Sequence, residues 1–452
     1  AQVPALLLSI AAAMVVTRVG KEDDLAGQVG TQLGRTAPWL PVAVILMLLG
    51  LLPGMPLLIV APAAAGALWM ALRRAPDPAA ADSKGSDDVP ASADAPALID
   101  WADVAETAPA SLDIGFGLVP LVDEARGAPL MARITAIRRT LSRSMGFVLP
   151  AVRVRDDLAL PPFRYRITLA GVVVGEDEIF PDDMLAIEAG PITTPVPGRE
   201  AADPAFGLPA RWIDAAETDL AEAAGYTVVD PSSVLGTHLN QLLAAHAHRL
   251  LGQDDCQALL DTLADTAPAL AAALVPKALP LAVFTQVLQR LLEEDVPVRD
   301  LRTIASALIA AAPRSQDPAE LAEAAHAALG PAIVQQLAGV KGTLSAVALD
   351  PGLEGLLLQA VRANPGSSHP FDPSLVTRVA EAVAQATAAL VGEGRRFAIV
   401  TVPPLRRPLW QLVRARVGGA PVLAFPDIPD ERPVDVVAVI GQNPGRPAME
   451  TP

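Results

Sequence analysis

Two apolar runs, Ala37 to Leu52 and Leu57 to Leu72, flank Pro53-Gly54-Met55-Pro56 and contain no Asp, Glu, Lys or Arg. Each run is 16 residues, a little short of the ~20 that span a hydrocarbon core. With the turn residues counted into their ends, they predict a helical hairpin that crosses a membrane twice; a buried hairpin or a re-entrant loop is the alternative. Upstream, Val3 to Val16 is apolar but too short for a whole span, and it lacks the basic start and cleavage region of a signal peptide. It reads as the end of an earlier transmembrane helix. Arg18, Lys21 and Arg35 precede the hairpin, while Arg73 and Arg74 follow it. Because Lys and Arg mark the cytoplasmic side, both flanks and everything beyond them are expected in the cytosol.

After Arg74 the pattern changes. Residues 75–108 are rich in Pro, Ala, Asp and Ser, which predicts a flexible acidic linker. Trp101 interrupts it within Ile99-Asp100-Trp101-Ala102-Asp103-Val104, where the ring either docks on a surface or caps a short local helix. Leu112, Ile114, Phe116 and Leu118 alternate as in a strand, and Leu130, Ile134, Ile137, Leu141 and Met145 recur at helical spacing. Strands follow at Val152 and Val154, at Phe163 to Leu169, and at Val172 to Val174 after a turn at Gly171. This β-α-β-β-β order predicts a small α/β unit. Met184 to Glu188 is expected as a strand, 193–209 as loop, 211–224 as a helix, Thr227 to Val229 as a strand and Ser232 to Leu251 as one long helix. Helices then continue to about Gly330, with a clear start signal at Asp317-Pro318-Ala319-Glu320. Between Pro373 and Gly441 the pattern alternates helix and strand, predicting a second α/β unit.

Length and charge narrow the function classes. A chain of 452 residues exceeds one core, and a net charge of -16 opposes nucleic-acid or anionic-lipid binding, both of which attract through Lys and Arg. Arg153, Arg155, Arg164 and Arg166 would share a sheet face, more in keeping with a solvated or subunit-facing surface than with nucleic acid. The single cysteine, Cys256, excludes a disulfide framework and a multi-cysteine metal site. His238, His246 and His248 lie in one expected helix, but their spacings do not set two imidazoles at i, i+4 on one face. Asp156-Asp157 and Asp182-Asp183 sit at turns, where carboxylates cap and solvate. No Walker loop, GxGxxG, GxSxG or HExxH pattern occurs, so no enzyme activity and no cofactor are expected. In Asp203-Pro204-Ala205-Phe206-Gly207-Leu208-Pro209 the backbone is fixed on both sides of Phe206, which either presents a ring at the surface or pins the loop into the core; residue type alone favours the core.

Several blocks taken together resemble the type III secretion export-gate family. The Gln2 to Arg18 entry and Gly50-Leu51-Leu52-Pro53-Gly54-Met55-Pro56 are similar to that family's last transmembrane helices. Gly117 to Asp123, Asp203 to Trp212, Gly236-Thr237-His238-Leu239-Asn240 and Val296 to Thr303 follow in the family's order. The segment Pro421 to Gly441 resembles the flagellar branch, with the virulence injectisome branch as the alternative.

The resemblance implies a multidomain α+β protein of the bacterial inner membrane: the end of a polytopic transmembrane domain (1–74), the linker, and four cytosolic subdomains. These are expected at 109–181 with 231–250, at 182–230 as an insertion, at 251–330 as helices and at 331–442 as α/β, with a tail at 443–452. It implies a nine-subunit cytosolic ring that receives export chaperones with their cargo, works beside other export-gate membrane proteins and the export ATPase complex, and helps order flagellar export. Asp203, Phe206 and Thr237 match the residues that line the family's chaperone cleft, which moves Phe206 from core to surface. Trp101, Asp103 and Val104 match a linker segment that docks on the neighbouring subunit. Membrane acidic residues linked to proton coupling in the family would lie before Ala1.

Overall fold

The computed structural model describes residues 108–123, 129–364, 370–414 and 420–441. The expected membrane segments, the linker with Trp101, Asp103 and Val104, and the tail at 443–452 lie outside the described residues. What is described is a mixed α/β chain built on three small sheets.

The first sheet has β1 (Ala110–Ile114), β2 (Val152–Asp156), β3 (Arg164–Leu169) and β4 (Val172–Glu178) in the order β2-β1-β3-β4. β1 and β2 are parallel, so they need a crossover, and α1 (Pro129–Met145) supplies it. Leu112, Ile114, Tyr165 and Ile167 point to one face and are fully buried there with Leu130 and Ile134 of α1. The opposite face carries a rung of charges in register across all four strands, Arg155, Asp113, Arg166 and Glu176. Arg155 meets Asp113 at 3.1 Å and Arg166 meets Glu176 at 2.8 Å, so the arginines expected to share a face are largely spent on cross-strand pairs. β1 stops at Ile114, short of the alternation through Leu118. The Gly115 and Gly117 amides donate to Arg164 and Pro162 carbonyls, turning Phe116–Leu121 into a 3-10 segment with Phe116 exposed.

The second sheet, order β6-β7-β5-β8, is antiparallel throughout: β5 (Asp183–Ile187), β6 (Arg199–Ala202), β7 (Pro209–Asp214) and β8 (Thr227–Val229). Two elements differ from the sequence expectation. β6 lies within the expected loop, and the helix expected at 211–224 is instead β7 followed by a short α2 (Thr218–Ala223). Pairing on both edges of β7 overrides the alanine-rich helical propensity, with Trp212 and Ala210 buried toward the first sheet and Ile213 toward α2. Asp214 then accepts from the Ala216 amide at 2.8 Å and turns the chain into the helix.

Next comes α3 (Pro231–Ala245), which packs beside α1 and returns the chain to the first sheet. The long helix expected to Leu251 breaks at His246, where φ is -111°, before α4 (Ala247–Leu250). A helical block follows with α5 (Gln253–Thr266), α6 (Pro268–Ala272), α7 (Leu281–Glu293), α8 (Leu301–Ala311) and α9 (Pro318–Ala338). Its centre is Leu, Ala and Val with Phe284 as the one large ring, as a chain with 4% aromatics must build it. Asp317 caps α9 through the Ala319 amide, and the helix runs unbroken past Gly330 to Ala338.

The third sheet is wholly parallel: β9 (Leu344–Leu349), β10 (Ala398–Thr401), β11 (Val422–Ala424) and β12 (Val434–Ile440), in the order β11-β10-β9-β12. α10 (Pro351–Ala363), α11 (Pro373–Gly392) and α12 (Pro403–Val413) connect its strands. All four residues of β10 are buried, as a central parallel strand requires. Among the described residues α11 is the one unbroken helix long and apolar enough to cross a membrane, yet Leu375, Val379, Val383 and Leu390 on it pack into this sheet's core.

An ionic cluster ties the third sheet to the helical block. The Arg406 guanidinium on α12 is 2% exposed and is held between Glu294, just past α7, and Glu323 of α9. Arg407 and Arg414 continue the cluster to Glu293 at 2.8 and 3.0 Å.

Candidate functional site

The Asp203–Leu208 loop joins β6 to β7, the antiparallel pair at the edge of the second sheet. Its first residue is not at the surface: Asp203 is 3% exposed. One carboxylate oxygen accepts from the Phe206 amide at 2.8 Å, the Asp203 carbonyl accepts from the Gly207 amide, and the Asp203 amide donates to the Leu208 carbonyl. This is an Asx-type turn with its side chain turned inward. Gly207 takes φ +68°, a left-handed conformation that glycine adopts freely. With the backbone fixed and Ala205 buried as an anchor, the Phe206 ring is left 67% exposed, with Leu208 partly exposed beside it in the chain. The structure therefore places Phe206 outside the core, against what residue type alone favours.

Thr237 reaches the surface from α3. Asp230 caps that helix, accepting from the Ser233 amide at 3.0 Å and from the Ser232 hydroxyl at 2.6 Å. Burial pushes the Asp230 carboxyl up, but these hydrogen bonds and Arg133 outweigh it and hold it below the usual carboxylate range. The Thr237 hydroxyl donates to the Ser233 carbonyl at 2.8 Å, so it offers a partner its lone pairs and a methyl group.

Beneath Thr237 lies a pair that the spacing of residues along the chain does not reveal. Tyr165 is fully buried in β3, and its hydroxyl is 2.7 Å from Nδ1 of His238, the residue after Thr237. The rings meet edge to face at 5.8 Å. Burial pushes the Tyr165 hydroxyl far above its usual range, with the charges of Asp177 and Asp203 adding to the effect. Burial lowers the His238 imidazole, against the upward pull of Asp177 and Asp203. Both groups are therefore neutral near pH 7, and the hydrogen bond between them runs from phenol to Nδ1 or from Nδ1 to phenol according to the imidazole tautomer. The Asp203 carboxylate acts electrostatically on both members of the pair. The signal available in sequence was the alternation of Phe163 to Leu169, which puts Tyr165 on the inner face where its hydroxyl must find a partner.

Cys256 and Asp157, two other candidates, have structural partners. Burial raises the Cys256 thiol, which packs beside Thr285. Asp157 accepts from the Ala159 amide at 2.9 Å in a turn. At the carboxyl ends of β9 and β10, Glu354 accepts from the Thr401 hydroxyl at 2.9 Å and the Val402 amide at 3.1 Å, so a side chain of this protein already fills those donors. Among the described residues no group of three or more His, Cys, Asp or Glu could hold a metal ion.

Comparison with known proteins agrees with the blocks that carried the resemblance. The FHIPEP family matches residues 1–433. The flagellar biosynthesis protein FlhA of Proteus mirabilis is 36% identical over 445 residues, covering 98% of this chain and 63% of that protein. The chain thus spans a little under two thirds of the length of that relative. Among solved structures, the Chlamydia pneumoniae CdsV protein is 21% identical with a TM-score of 0.63, over 74% of this chain and 98% of that one. The nonameric EPEC SctV-C is 21% identical with a TM-score of 0.57, over 74% and 98%. These two share the fold of the described part. The family match across nearly the whole chain, together with a relative of this identity, shows that the chain belongs to the FHIPEP family.

Proposed function

We propose that this chain is part of a flagellar type III export gate, and that its folded part docks chaperone-cargo complexes at the Phe206 loop and the Thr237 face of α3. The observation that carries the reading is a large apolar ring held 67% exposed on a loop whose backbone a buried carboxylate locks. A large ring presented on a fixed loop is suited to serve as an anchor for a partner. A preordered loop also spares the partner the cost of fixing it. An amphipathic helix laid across this surface would bury Phe206 and Leu208 and meet the Thr237 methyl and lone pairs.

The wider setting follows the same reading. The charge-free hairpin at 37–72 anchors the chain in the bacterial inner membrane, and the linker carries the folded part into the cytosol. The three sheets and the helical block are the four cytosolic subdomains. Nine copies assemble as a ring, as the fold-related SctV-C does, and Trp101, Asp103 and Val104 dock each linker on the next subunit. Other gate proteins and the export ATPase complex are its further partners, and the part played is recruitment without catalysis. Sequence identity to a flagellar relative favours the flagellar branch over the injectisome branch.

A photo-cross-linking amino acid at position 206 tests the site. With a flagellar chaperone bound to its filament protein, the adduct is expected at 206 and not at Leu220, which is 60% exposed on α2. Cross-linking at 220 with none at 206 would place the docking surface elsewhere.

A further inference from the structure

Arg199 opens β6, the strand that leads into the Phe206 loop, and stands directly opposite Trp212 in the β6–β7 register. Residues opposed in this way share a face, here the one that turns toward the first sheet. On that face the Arg199 guanidinium lies over the Phe180 ring, 3.8 Å from its centroid. The ring is itself fixed: it meets Trp212 edge to face at 5.5 Å and Phe163 at 5.4 Å, and Trp212 is 4% exposed. A cleft of about 480 Å³ opens here between β4 and β6, and its β6 wall runs from Arg199 to Ala202, the residue before Asp203.

The other charged side chains that line the cleft have partners. Arg164 pairs with Glu176 at 3.3 Å and with Glu178 at 2.8 Å, Glu200 pairs with Arg211 at 3.1 Å, and Asp177 accepts from the Glu178 amide at 2.7 Å. Arg199 is exposed and has neither an ion pair nor a hydrogen bond among the described residues. The ring holds its guanidinium by cation–π attraction and uses none of its five N–H donors. A carboxylate is the side-chain group whose two oxygens match that fork.

Resting on the docking reading above, we infer that Arg199 is a second contact of the docking surface and that it takes a carboxylate, an Asp or Glu side chain of the docked protein. The reach is sufficient. Arg199 and Phe206 are seven residues apart, at most about 25 Å of extended chain, and a helix of about 20 residues spans about 30 Å. Phe206 buries apolar surface whatever the partner's charge, whereas Arg199 selects by charge, with Phe180 holding the guanidinium in place before the partner arrives. The chain as a whole carries -16, so an acidic partner gains nothing from the long-range field and its recognition rests on this local fork.

The experiment is calorimetric titration of a flagellar chaperone-filament complex into the full chain, for wild type, Arg199→Met, Arg199→Lys, Arg199→Glu and Phe206→Ala, with a melting curve of each. Met keeps an apolar stem over Phe180 and removes the charge, while Lys keeps the charge and removes the fork. Arg199→Met is expected to weaken docking on the order of tenfold, as loss of a charge-assisted hydrogen bond does. Arg199→Lys is expected to weaken it only a few-fold. Arg199→Glu is expected to dock more weakly than Arg199→Met, because a like charge then faces the partner's carboxylate. All three should melt close to wild type, since the side chain is exposed. Wild-type affinity in Arg199→Met, or an Arg199→Glu that docks as well as Arg199→Met, would overturn the inference; a weakened Phe206→Ala in the same series would leave the docking reading standing without it. Weakened Arg199 variants beside an unchanged Phe206→Ala would keep the carboxylate contact and sink the reading of the ring as anchor. Absence of binding by wild type would overturn both.

Discussion

Arg406→Ala is expected to destabilise the folded part by about 3–5 kcal/mol, the cost of removing one partner from a buried ion pair. Arg406 is 2% exposed, and its Nε lies 2.6 Å from Glu323. Glu294, its second partner, is 5% exposed and keeps only Arg407 once Arg406 is gone. Glu323 is about one-third exposed and recovers solvation, so most of the penalty falls on Glu294. Adding Glu294→Gln to Arg406→Ala should therefore restore part of the loss, because the stranded charge is removed with its partner. Urea unfolding of the single and double variants checks this. A loss below about 1 kcal/mol for Arg406→Ala would class the cluster with surface pairs. The effect is structural: the cluster joins α12 of the third sheet to α7 and α9, and its loss should loosen that sheet from the helical block.

Phe206→Ala has the opposite profile. The ring is 67% exposed, so its removal should leave the unfolding midpoint nearly unchanged. If the ring is the anchor of the docking surface, its truncation costs about 2 kcal/mol or more of binding, roughly thirtyfold in affinity. In cells, secretion of filament protein should fall while the variant accumulates normally. Asp203→Ala should lose docking by another route. It strips the Phe206 amide of its buried acceptor, costing on the order of 1–3 kcal/mol of stability, visible as a lower unfolding midpoint. Comparing the two separates contact from support: only Asp203→Ala should change the melt.

Much of this was legible in the pattern of residues. The first sheet's strands and α1 follow from alternation and helical spacing, and Asp317 caps α9 as its surroundings indicate. What failed to show was set by partners distant in sequence. Arg211 to Ala224 has helical composition, and its first part becomes a strand only because β5 and β6 stand on either side of it. Leu118 alternates correctly with Ile114, but backbone bonds to the Pro162–Arg164 segment end the strand. The candidate site divides in the same way. Local residues fix the turn that holds Phe206, and Gly207 permits it. Residue type alone favoured burying that ring, because nothing local says that Asp203 turns inward while Phe206 turns out. The resemblance to a family corrected that point. The Tyr165–His238 pair joins residues 73 apart in sequence, and only the packing of α3 on the first sheet brings them together.

The exposed ring on its locked loop is the proposed docking point of chaperone-cargo complexes. Calorimetric titration of a flagellar chaperone-filament complex into the wild-type chain and into Phe206→Ala measures it most directly. Saturable binding by wild type, weakened about thirtyfold or more in a variant with an unchanged melting curve, is the expected result. Equal affinity for the two proteins would contradict the claim.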